Sequence, residues 1–148
     1  MAKHIRAEIE IDAPAERVWE VLTDFPSFPS WNPFVRRISG KAETGARLTT
    51  YLVPPGGRGM SFKPVVRAAE ANRELRWLGR LVIPGLFDGE HAFLIEPLGP
   101  GRVRFIQQER FTGALVPLFS RSLDHGTRQG FEEMNRALKA RAEQRSTP

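Results

Sequence analysis

The chain has 148 residues, 41% hydrophobic and 26% charged, with a net charge of +5 and no cysteine. That size and balance predict one globular domain with a substantial core, and the lack of cysteine excludes disulfides, thiolate nucleophiles and Cys-ligated metal. The basic residues are spread along the chain, densest at Arg36-Arg37 and at Arg136, Lys139, Arg141 and Arg145, which predicts a solvated basic surface and no nucleic-acid partner.

In chain order, Ile5, Ala7, Ile9 and Ile11 alternate with Arg6, Glu8 and Glu10, the period of a half-buried first strand. Pro14 then sits where a helix would open, a position at which its missing N–H costs nothing, and Glu16 lies near the positive end of the dipole. Val18, Val21, Leu22 and Phe25 form one apolar stripe, and Trp31-Asn32-Pro33-Phe34 closes a second, shorter helical turn. Residues 35–38 and 47–53 read as strands. The Pro- and Gly-rich stretch 54–59 reads as a hairpin connection, because it lacks the Lys-Ser/Thr ending of a phosphate loop.

Residues 62–70 and 74–83 read as a hairpin turning at Asn72, and residues 90–97 and 102–111 as another turning at Gly99-Pro100-Gly101. From about residue 117 the period becomes helical, with Phe119, Leu123, Thr127, Phe131, Met134 and Leu138 on one side. Gly126 and Gly130 flank that stripe and predict something close by, a strand backbone or a ligand. A disordered tail is expected from about 143 to 148. Strand, two short helices, roughly six strands and one long helix make an α+β domain with an antiparallel sheet.

Ala13-Pro14, Glu16, Val18-Trp19, Trp31-Asn32-Pro33-Phe34, Trp77 and Phe111-Thr112-Gly113 together resemble the START-like superfamily, in particular its polyketide cyclase/dehydrase and lipid-transport branch. The resemblance covers nearly the whole chain. It implies a helix-grip fold in one domain: a curved antiparallel seven-stranded sheet around a long C-terminal helix, with two short helices between strands 1 and 2. A sheet so curved leaves a gap that one helix cannot fill, so an internal cavity is expected.

Pairing across the 97–101 turn puts Ile95 opposite Val103, Phe93 opposite Phe105 and His91 opposite Gln107, with Glu109 diagonal to His91. Residues of one parity share a face, and Arg102, Arg104, Gln108 and Arg110 mark the other face as the wet one. His91, Gln107 and Glu109 are therefore directed inward. They either orient a ligand, act on it as acid and base, or satisfy one another and trapped water; His91 and Glu109 are the only candidates for catalysis. Trp77, Phe93 and Phe105 would add a cavity wall from the sheet, and Phe131 and Met134 one from the helix. Two apolar segments, 82–87 with Leu86 and Phe87 and 115–119 with Leu118 and Phe119, are expected to form its rim. His125 lies about 200° around an α-helix from Leu123 and is expected to face solvent. Glu90 and His91 alternate to opposite faces and no second His has ligand spacing, so no metal site is expected.

These features predict binding of a hydrophobic or amphipathic small molecule (a lipid, a polyketide-like or an aromatic compound) without a cofactor. The alternatives are a cyclase/dehydratase-type enzyme using the cavity acid–base residues, and a co-chaperone-like protein-interaction module. No apolar run approaches a membrane span, so a cytoplasmic monomer or homodimer is expected, with transient membrane contact at the rim.

Overall fold

The computed structural model describes residues 2–81 and 85–144. β1 (Ala2–Ile11) leads into α1 (Ala15–Thr23), a 3-10 turn (Phe25–Ser27) and α2 (Phe28–Trp31). Pro14 occupies the N-cap rather than the first helical position, and its carbonyl accepts the amides of Arg17 and Val18. Val18, Val21, Leu22 and Phe25 are all buried. The Asn32 side chain ends this segment: its Oδ1 accepts the amides of Phe34 and Val35 at 2.9 and 2.8 Å, which launches the next strand.

The expected single strand over 62–70 is two strands. β2 (Val35–Ser39), β3 (Thr49–Leu52) and β4 (Met60–Phe62) form a three-stranded sheet. β5 (Val65–Glu70), β6 (Glu74–Leu81), β7 (Phe87–Gly99) and β8 (Arg102–Thr112) join β1 in a five-stranded sheet ordered β1-β8-β7-β6-β5. The break falls at Lys63-Pro64, where proline cannot donate to a ladder. The two sheets stay stitched together, because Leu48 donates to the Pro64 carbonyl while Val66 and the 45–46 segment exchange backbone bonds. The seven-stranded curved sheet of the expectation is thus eight strands in two ladders, and ladder shifts at 35/37, 66/68 and 97/99 supply bends.

The C-terminal helical region comprises α3 (Val116–Ser122), a π-helical turn (Leu123–Thr127) and α4 (Arg128–Glu143). Phe131, Met134 and Leu138 are fully buried against the sheet, whereas the Leu123 side chain lies outside the described residues. Gly130 is needed for a side chain rather than for a strand backbone or a ligand. The Phe34 ring approaches it so closely that a Cβ there would stand 2.5 Å from a ring carbon. α4 runs to Glu143, whose carboxylate accepts the Asp12 amide and the Lys139 ammonium. Residues 145–148 lie outside the described part.

Candidate ligand-binding site

The β7–β8 register sets which polar groups meet. His91 lies opposite Glu109, Phe93 opposite Gln107, and Ile95 opposite Phe105. This is displaced by two residues from the sequence expectation, since pairing runs on to Gly99–Arg102 around Pro100 and Gly101, with the ladder shifting between Pro97 and Gly99. A slip of two preserves parity, so the same side chains remain on the inner face.

Three polar side chains of that face and Asn135 from α4 form a chain. His91 Nδ1 lies 2.9 Å from Glu109 Oε1, and His91 Nε2 lies 3.0 Å from Gln107 Oε1. The Gln107 amide nitrogen donates to Asn135 Oδ1 at 2.8 Å and to the Phe131 carbonyl at 3.4 Å. His91, Gln107 and Asn135 are buried, and the Glu109 side chain is 12% exposed. Aromatic rings enclose the imidazole: Trp77, Phe93 and Phe131 have ring centroids 5.3, 4.4 and 4.9 Å from it. Asn135 is absent from the sequence expectation. Its signal is its place four residues after Phe131, on the apolar stripe of α4, where an amide needs a buried partner.

Beside this chain lies an open-mouthed cavity of about 770 Å³. Leu52, the 54–57 loop, Met60 and Phe62 wall one side; Gly79, Phe87, Gly89 and Phe111 come from the larger sheet; Phe34, Leu115, Phe119 and Gly126 line the helical side. Glu109 is its single acidic lining residue among the described residues, with Arg121 and His125 the basic ones.

Of the residues expected to line or rim a cavity, Glu109, Phe87 and Phe119 border it. Trp77, His91, Phe93, Phe105, Gln107, Phe131 and Met134 do not. They are packed together as buried core behind the cavity wall. Leu86 and Leu118 also lie outside the lining, Leu118 being 75% exposed, and residues 82–84 fall outside the described part. His125 is exposed yet borders the cavity, because the π-helical turn alters the angular spacing that an α-helix would give it. Gly126 borders the cavity too. Gly89 and the 54–57 loop were not foreseen. Gly89 leaves room for a neighbour: a Cβ there would stand 2.8 Å from Glu109 Oε2.

The sequence pattern described as "Polyketide cyclase / dehydrase and lipid transport" matches residues 2–143. The chain belongs to that family. No curated protein matches it significantly. Among solved structures, the Zhui aromatase/cyclase from Streptomyces sp. R1128 superposes with a TM-score of 0.79 at 16% identity, covering 97% of this chain and 94% of that one. A START superfamily protein from Mycobacterium smegmatis gives 0.76 at 21% identity, covering 95% and 97%. Norcoclaurine synthase from Thalictrum flavum, in complex with a transition-state analogue, gives 0.73 at 14% identity, covering 96% and 94%. At these identities the likeness establishes a shared helix-grip architecture, and function rests on the site itself. Among the described residues no helix is long and apolar enough to cross a membrane.

Proposed function

We propose that this family member binds an apolar or amphipathic small molecule in the cavity between the β3–β4 hairpin, the β6–β8 strand ends and the α3–α4 turn. One observation carries the reading: a hollow of about 770 Å³ is walled mostly by Phe, Leu, Met, Pro and Gly, with Glu109, Arg121, His125 and Thr127 as its polar lining residues among the described residues. That volume lies within the range of small-molecule sites, roughly 300–1,000 Å³, and sparse polar groups on apolar walls are their usual chemistry. A closed core with a flat exposed patch, the form expected of a pure interaction module, fits this hollow poorly.

The decisive measurement is titration with an environment-sensitive naphthalene probe. Wild-type protein should bind it saturably, and Gly79→Leu, which fills the hollow beside Phe62, should abolish binding while circular dichroism stays unchanged. Absence of saturable binding to the wild type, or equal binding by Gly79→Leu, would sink the reading.

A second reading, acid–base catalysis of the cyclase/dehydratase kind, draws on the 2.9 Å contact between His91 and Glu109. Glu109 would exchange a proton with the substrate and His91 would position it. That reading requires turnover to vanish in Glu109→Gln while probe binding persists.

A further inference from the structure

The hydrogen bonds around His91 fix more than its position. The Phe131 carbonyl can only accept, so the Gln107 amide turns its nitrogen toward it and toward Asn135 Oδ1. Gln107 Oε1 is left facing His91 Nε2 at 3.0 Å. An amide oxygen can only accept, so Nε2 carries a hydrogen. At the other end Nδ1 and Glu109 Oε1 are 2.9 Å apart, and two bare lone pairs at that distance would repel. One proton therefore occupies that contact. It rests either on Nδ1, giving imidazolium beside carboxylate, or on Oε1, giving neutral imidazole beside a carboxylic acid.

Both arrangements leave the second oxygen, Oε2, without a proton. Oε2 is the atom beside Gly89, which itself lines the cavity, and no hydrogen bond reaches it from the described residues. Whichever way the shared proton sits, the group shown to the cavity is an acceptor.

Resting on the ligand-binding reading, we propose that Glu109 Oε2 is a dedicated acceptor that selects ligands carrying a hydroxyl or amine donor on an apolar body. Oε2 has no partner among the described residues and is not among the buried unpaired atoms, so it opens on the hollow, where a ligand donor can pair with it and an ether or ester oxygen would repel it. His91 acts as a positioning residue, holding Oε1 so that Oε2 keeps its aim. Gln107 and Asn135 hold the imidazole in the form this requires.

The test compares 2-naphthol with 2-methoxynaphthalene, matched probes that differ in the donor. The ether is the more hydrophobic, so an apolar hollow alone would favour it. Wild-type protein should prefer the naphthol by about 3- to 100-fold, the lower end being the size of a hydrogen bond to a carboxylic-acid carbonyl and the upper that of one to a carboxylate. Glu109→Leu should bring the ratio to about one or below while still binding the ether. Glu109→Gln should keep a several-fold naphthol preference when Nδ1 is bare, because the introduced amide nitrogen then donates to it and again leaves an oxygen facing the cavity, and should reverse the preference when Nδ1 carries the shared proton; a ratio near one would contradict an oriented group at this position. Should Glu109→Leu fail to fold, the wild type and Glu109→Gln decide. Binding of both probes by the wild type without preference overturns the acceptor proposal and leaves the apolar hollow standing. Binding of neither overturns both.

Discussion

Gly79 on β6 stands directly opposite Gly89 on β7, and both border the cavity. Glycine in a strand interior weakens it and marks a place where something else approaches closely. Here the missing side chains open the floor of the hollow, with Phe62 beside one glycine and Glu109 and Phe111 beside the other.

The closeness of Gly89 to Glu109 makes a one-carbon substitution informative. In Gly89→Ala the new Cβ would stand 2.8 Å from Oε2, so the end of the Glu109 side chain must shift and Oε2 loses its present aim. Affinity for a donor-bearing probe should fall by about fivefold or more, the worth of a typical hydrogen bond. Affinity for an ether probe should change less than threefold. Titrations with both probes check this.

The packed residues behind the cavity should behave differently. Phe131 touches Phe34 and His91, with ring centroids at 5.8 and 4.9 Å, and is fully buried. Phe131→Ala should cost about 3–5 kcal/mol in chemical denaturation, the usual cost of emptying such a site. Residual folded protein should bind the probe with nearly wild-type affinity, since Phe131 lies outside the lining.

Much of the fold was legible because each strand carries its own period. Ile5 and Ile11 announce the buried face of β1, and the Arg102, Arg104 and Arg110 parity announces the wet face of β8. Faces survive a register slip of two, so His91, Gln107 and Glu109 could be brought together even with the wrong partners assigned. The cavity's position could not be read the same way. It depends on which residues meet across strands, as Gly79 and Gly89 do, and on where the 54–57 loop lies over the sheet. It also depends on a π-helical turn that swings His125 to the mouth. None of these is encoded by the period of a single segment. The polar chain's last member, Asn135, did carry a signal, a lone amide on an apolar helical stripe.

At the mouth, Phe119 stands edge-on to Phe87 with ring centroids 5.9 Å apart, but Phe119 is 43% exposed while Phe87 is buried against Phe111. The two should separate gating from packing. Phe119→Ser should change stability by less than about 1 kcal/mol, as exposed substitutions usually do, while probe on- and off-rates rise together severalfold in stopped-flow traces. Phe87→Ser should instead cost about 3 kcal/mol or more, as loss of a buried aromatic does. Equal stability losses in both would show that Phe119 is ordinary core.

The far end of α4 offers a test by pH. Glu143 Oε2 accepts the Asp12 amide at 2.8 Å and the Lys139 ammonium one turn earlier, while Lys139 also donates to the Glu10 carbonyl. The Lys139 hydrogen bond, then the Asp12 amide, hold the Glu143 carboxyl below its ordinary range. A carboxyl with a lowered folded value binds its proton less readily than in the unfolded chain, so the unfolded state holds more protons as the pH drops. The stabilisation is therefore fully present above the ordinary carboxylate range, near pH 4.3, and is lost as pH falls through the lower folded value. Glu143→Gln should cost about 1 kcal/mol or less at pH 7, given the partly exposed setting. Urea unfolding of the two proteins should give curves that converge as the pH falls below about 4. A difference that stays constant from pH 7 to the acid limit would mean that the carboxylate's charge does not contribute, and that the helix end is held by the Lys139–Glu10 bond and by Arg17, whose guanidinium donates to the Arg141 carbonyl at 3.2 Å.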